Sequence, residues 1–85
     1  MGKYKVEIKR SAAKEIDKLP AKDLKAVLAR IEALSENPRP PDCQKLSADE
    51  KYCIRCGDYR ILYSIADDIL TVYVVKVGPR KDVYR

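Results

Sequence analysis

The chain is predicted to fold as one α+β domain. It should contain an N-terminal strand, a two-helix hairpin and then a three- or four-stranded antiparallel meander, with both helices on one face of the sheet. Three observations predict this. Residues 3–9 alternate apolar and charged, residues 11–36 carry apolar side chains at helical spacing, and the segment after a proline-rich stretch at 37–42 is rich in β-branched and aromatic residues. At 85 residues there is room for one hydrophobic core.

Each element has a local signal. In Lys3-Tyr4-Lys5-Val6-Glu7-Ile8-Lys9 the apolar side chains share one face and the charges the other, as in a half-buried strand. Ser11 is placed to cap a short helix that carries Ala12, Ile16 and Leu19 and stops at Pro20. A longer helix is expected over 21–36, because Leu24, Val27, Leu28, Ile31 and Leu34 recur on one stripe. Asn37-Pro38-Arg39-Pro40-Pro41-Asp42 reads as a stiff loop. Strands are expected at 43–46, 51–56, 59–65 and 69–77, the last two joined through Ala66-Asp67-Asp68. The segment from Ile69 to Val75 is apolar on both faces, as in a central strand.

Composition narrows the function classes. Eighteen Lys and Arg against thirteen Asp and Glu give a net charge of +5, which suits a polyanionic partner. Histidine is absent, so a histidine general base, a Ser-His-Asp triad and a His-Glu-x-x-His metal site are all excluded. Cys53-Ile54-Arg55-Cys56 has metal or redox spacing, but in a strand residues three apart point to opposite faces, and no second pair completes a zinc site. Cys43, Cys53 and Cys56 are therefore read as reduced, partly buried side chains, with no metal and no cofactor called for. No secretory signal or membrane span is read, and the cytoplasm is the expected compartment.

The most pointed feature is a pair of arginines. Gly57-Asp58 is a hairpin signal, and counting outward from it pairs Cys56 with Tyr59, Arg55 with Arg60 and Ile54 with Ile61. Two like charges directly opposite each other destabilise a sheet, so a fold that keeps them is expected to place an anion between them. Tyr59, Ile61, Tyr63 and Ile65 share the helix-covered parity, which puts Arg60 on the open face beside Arg55. Arg80 follows Gly78-Pro79 after the last strand, and Tyr84 comes soon after.

Asp58-Tyr59-Arg60-Ile61-Leu62-Tyr63, the later Val77-Gly78-Pro79-Arg80 and Val83-Tyr84 together resemble the RelE branch of the RelE/ParE toxin superfamily. Leu46, the Tyr52-Cys53-Ile54-Arg55 strand and the opening strand with its helical hairpin fit the same pattern, so the resemblance covers nearly the whole chain. It implies a RelE-like curved sheet and a type II toxin restrained by an antitoxin in a hetero-oligomer. It also implies a ribosome-dependent endoribonuclease that cuts mRNA in the decoding site. By that resemblance Arg60 stabilises the phosphate, Arg55 reinforces the field, Arg80 serves the departing 5′-oxygen, and Tyr84 stacks on a base or takes the 2′-OH proton. Lys51, Lys76 and Lys81 are the further RNA-binding candidates. This chain has Cys53 where family members often carry lysine. The alternatives are a ParE-like poison that binds gyrase without nuclease activity, and a degenerate member keeping only antitoxin or nucleic-acid binding.

Overall fold

A computed structural model describes residues 3–46 and 51–79. Strand β1 (Lys5–Ile8) leads into helices α1 (Arg10–Asp17) and α2 (Ala21–Ala33). Strands β2 (Gln44–Lys45), β3 (Lys51–Cys56), β4 (Tyr59–Ala66) and β5 (Thr71–Pro79) follow, with a 3₁₀ turn at Asp67–Ile69 between the last two. The sheet order is β1-β5-β4-β3-β2, so the chain's first strand lies beside its last.

The predicted meander is present, and β2 through β5 pair antiparallel in sequence. The sheet as a whole is mixed, because β1 runs parallel to β5, from Lys5 opposite Thr71 to Ile8 opposite Val74. The two helices supply the long crossover that a parallel neighbour requires. That places β5 inside the sheet between β1 and β4 over Thr71–Val74, which fits its two-faced apolar character, with β4 at the centre of the sheet.

Several local expectations shift. The first helix begins at Arg10 with Lys9 as its N-cap, so Ser11 lies inside the first turn and caps nothing. The second helix ends at Ala33; Leu34, Ser35 and Glu36 close it with N–H bonds to carbonyls three residues back. The last strand starts at Thr71 rather than Ile69, because Ile69 closes the 3₁₀ turn and Leu70 takes a left-handed φ of 46°. Ile8 is exposed at the sheet edge, so only Tyr4 and Val6 of the first apolar stripe reach the core.

The core lies between the helices and one sheet face. Ala12 and Ile16 of α1, and Val27, Ile31 and Leu34 from the second helical segment, pack on Tyr52, Ile54, Ile61, Tyr63, Ile65, Val72, Val74 and Val77. The alternation within β4 sends Ile61, Tyr63 and Ile65 into that layer, with Tyr59 half-buried at its rim.

A polar staple fixes the proline-rich loop to the sheet. Arg39 Nη1 and Nη2 donate to Asp67 Oδ1 and Oδ2 at 3.1 and 2.8 Å, while its Nε donates to the Tyr52 hydroxyl at 3.2 Å. Its guanidinium stands 5.3 Å from the centre of the Tyr52 ring, which in turn stacks on Tyr63 at 5.8 Å. The Tyr63 hydroxyl donates to the Pro38 carbonyl at 2.7 Å, and the Tyr4 hydroxyl to Asp67 Oδ1 at 2.7 Å. The Arg39 and Tyr4 hydrogen bonds hold the Asp67 carboxyl down at about 2.

Candidate functional site

The β3–β4 hairpin builds the site. Gly57 has a φ of +61°, whereas Asp58 does not share the left-handed region, which fits a type II′ turn with glycine at its first central position. No atom lies within 4 Å of where a Gly57 Cβ would sit, so the requirement for glycine is conformational rather than steric. The turn sets the register as counted: Cys56 faces Tyr59, Arg55 faces Arg60, and Ile54 faces Ile61.

The pairing therefore brings Arg55 and Arg60 onto one face, with Cys53 and Lys51 of β3 and Leu62 and Ser64 of β4. The opposite neighbours on β5 are Gly78, beside Arg60, and Lys76, beside Leu62. Lys76 thus shares the face by register, one residue pair removed from Arg60 on the same side. Lys51 stands opposite Ser64, four residues from Arg55 along the strand, or roughly 13 Å.

Exposure separates the two arginines. Arg55 is exposed, but Arg60 is only 3% exposed, which corrects the expectation that it stands open to solvent beside its partner. Its Nη1 donates toward the Cys53 Sγ at 3.9 Å. Cys53 is itself buried, and its small thiol leaves room for the guanidinium to lie back along the sheet. Cys53 is thus the neighbour toward which this chain folds its sheet arginine down. Cys53 and Cys56 face opposite sides, Cys53 against Arg60 and Cys56 against the helix-side core, where burial pushes its thiol up.

Arg80, Lys81 and Tyr84 lie outside the described residues. What is described of that end is β5 finishing at Pro79, opposite Tyr59 at the base of the turn. Sequence reasoning missed the Arg39 staple. Its available signal was an arginine enclosed by prolines in a loop too stiff to leave it idle.

Comparison with known proteins gives this geometry a family. A family model described as the ParE toxin of the type II toxin–antitoxin system parDE matches residues 6–84. The chain is 33% identical over 84 residues to toxin RelG of Mycobacterium tuberculosis, covering 96% of this chain and 97% of that one. Its fold superposes on the archaeal RelE–RelB complex from Pyrococcus horikoshii OT3 with a TM-score of 0.81 at 26% identity, covering 92% and 96% of the two chains. The toxin–antitoxin complex RelBE2 of M. tuberculosis gives 0.79 at 31% identity, covering 91% and 98%. The chain belongs to the RelE/ParE superfamily of type II toxins, within its RelE branch.

Proposed function

We propose that this toxin is a ribosome-dependent endoribonuclease that cuts mRNA in the decoding site through attack of the RNA's own 2′-OH. The observation that carries the proposal is the Arg55–Arg60 pair, held face to face by the hairpin register. Two arginines rooted at facing positions concentrate positive charge that a phosphate can neutralise, and their planar forks match its oxygens.

In the reaction, the 2′ oxygen forms a bond to the adjacent phosphorus as the bond to the 5′-oxygen breaks, leaving a 2′,3′-cyclic phosphate and a 5′-hydroxyl. The proton leaves the 2′-OH and one is returned to the 5′-oxygen. Arg60 donates to the non-bridging oxygens as charge develops on them. Its low exposure makes each such hydrogen bond stronger than one made in water. Arg55, exposed on the same face, meets the incoming backbone and draws the phosphate down onto Arg60. Arg80 serves the leaving oxygen and Tyr84 the base or the 2′-OH proton, with Lys51, Lys76 and Lys81 gripping flanking phosphates. The ribosome supplies the in-line geometry that a site without histidine must borrow.

Several solved relatives are toxin–antitoxin complexes, which supports a cognate antitoxin as the partner in a hetero-oligomer; the cytoplasm is the compartment in which this reading has it act. The family model's ParE description favours one competing reading, a gyrase-binding poison without chemistry of its own. Induced expression separates the two. A nuclease stops translation and leaves cuts inside codons, which Arg60→Ala suppresses. A gyrase poison leaves DNA breaks and filaments, and that outcome would reject the nuclease.

A further inference from the structure

The strand register lays out the sheet face turned away from the helices in rows. The row nearest the Gly57-Asp58 turn holds Arg55, Arg60 and Gly78, and the next holds Cys53, Leu62 and Lys76. In the row beyond, Lys51 of β3 faces Ser64 of β4, Ser64 faces Tyr73 of β5, and Tyr73 faces Glu7 of β1. A register shift makes Val75 an extra residue on β5, since Leu62 faces Lys76 whereas Tyr63 faces Val74. That extra residue is what keeps Tyr73 and Lys76, three apart in the chain, on the same face. Val72, Val74 and Val77 take the other face, in the core under the helices.

Tyr73 is a ring among small neighbours. On β4 it stands opposite Ser64 and diagonal to Ala66. In the core the comparable ring, Tyr63, is buried and stacks on Tyr52 at 5.8 Å. Tyr73 is half-buried instead, and among the described residues no other ring stacks on it. An open aromatic face beside small side chains is the kind of surface on which an unpaired base stacks.

The surrounding charges orient a strand across this face. Arg55 and Lys51 are both exposed on β3, roughly 13 Å apart, which is about two nucleotide steps of an extended single strand. Tyr73 lies two strands over, roughly 10 Å from that line, about the reach from a phosphate through its sugar to the base. Beyond it Glu7 is exposed and repels a phosphate, so the backbone belongs over β3 and the bases over β5.

We propose that Tyr73 stacks on an RNA base about two nucleotides from the phosphate held by Arg55 and Arg60, while Lys51 takes that nucleotide's own phosphate. The proposal deepens the nuclease reading and rests on it for the placing of the strand. Stacking accepts every base, so the platform holds the RNA in position without choosing a sequence. Tyr73 touches no reacting atom. It contributes equally to the bound substrate and the transition state, and so acts on KM rather than on kcat.

The probe is a single-stranded RNA of eight nucleotides, with an abasic strand of the same length as control, titrated into the full chain at low salt without ribosomes. Tyr73→Leu should weaken binding of the intact RNA by about tenfold, and Tyr73→Phe should bind as wild type does. The abasic strand should bind more weakly than the intact one and lose nothing further in Tyr73→Leu. Lys51→Gln should weaken both strands and reduce the salt slope by about 1. Thermal melts establish that each variant is folded. The proposal is overturned if wild type binds neither strand or binds both equally, if Tyr73→Leu holds the intact RNA as tightly as wild type, or if folded Tyr73→Phe loses as much as leucine does. On programmed ribosomes Tyr73→Leu should raise KM and leave kcat unchanged. RNA that binds through Tyr73 yet is never cut rejects the nuclease and keeps the platform. Cleavage that needs Arg60 but is indifferent to Tyr73 rejects the platform and keeps the nuclease.

Discussion

Replacing Arg55 with glutamine should make this protein more stable and less active. The register places Arg55 directly opposite Arg60, which fixes their Cβ atoms about 4.5–5.5 Å apart. Two unit charges about 7 Å apart, taken as an illustrative separation, repel by about 0.6 kcal/mol in water and about 2.4 kcal/mol at the effective dielectric of a protein surface. Arg55 is exposed, which pulls the value toward the lower figure, to about 0.5–1 kcal/mol. In a domain of this size that corresponds to a rise in Tm of about 2–6 °C. Glutamine keeps the aliphatic stem and removes the charge. Thermal melts of wild type and Arg55→Gln at about 10 mM and 500 mM salt give the assay, because screening should shrink the gap as the Debye length falls from about 30 Å to a few Å. An unchanged or lowered Tm at low salt, or a gap indifferent to salt, would refute the claim that the pair is kept at a structural cost.

Three further outcomes test the surrounding structure. Tyr63→Phe removes the buried hydroxyl that donates to Pro38 and leaves that carbonyl unsatisfied, so stability should fall by about 1–3 kcal/mol in urea titrations. Because the Asp67 carboxyl is held at about 2, below its ordinary 3.8, the unfolded chain takes up the proton more readily. The staple's contribution is therefore full above about pH 4 and is lost as pH falls through about 2. Asp67→Asn should lower stability at neutral pH and flatten that part of the acid unfolding curve. Gly57→Val should cost about 1–2 kcal/mol through backbone strain alone, since the space around the Cβ is open; chemical denaturation against Gly57→Asn, which tolerates the left-handed region, isolates the conformational term.

What could be read from the residues was local. The Gly57-Asp58 turn fixes the hairpin register by counting, so the Arg55–Arg60 pairing needed no tertiary information. Alternation in β4 likewise assigns Ile61, Tyr63 and Ile65 to the helix-covered face, and parity separates Cys53 from Cys56. What escaped was set by partners distant in the chain. The parallel docking of β1 on β5, the extra residue at Val75 and the bond from Tyr63 to Pro38 depend on how layers meet. The low exposure of Arg60 belongs to the same class: strand parity tells which face a side chain leaves from, not whether its four-atom stem then lies flat toward a small neighbour such as Cys53. Ser11 failed as a cap because the helix starts two residues earlier than a Ser11 cap requires, at Arg10 with Lys9 as N-cap, and any Ser near a helix start offers the same local signal.

The most direct measurement is the single-turnover rate of mRNA cleavage on programmed ribosomes by wild type, Arg60→Ala and Arg60→Lys, with RNA ends mapped and folding of each variant checked by its melt. Loss of the guanidinium should slow cleavage within the decoding site by about 10²–10³-fold, with lysine recovering only part because it cannot present the planar fork. A folded Arg60→Ala protein that cuts at the same positions as fast as wild type would contradict the assignment of this arginine to the scissile phosphate.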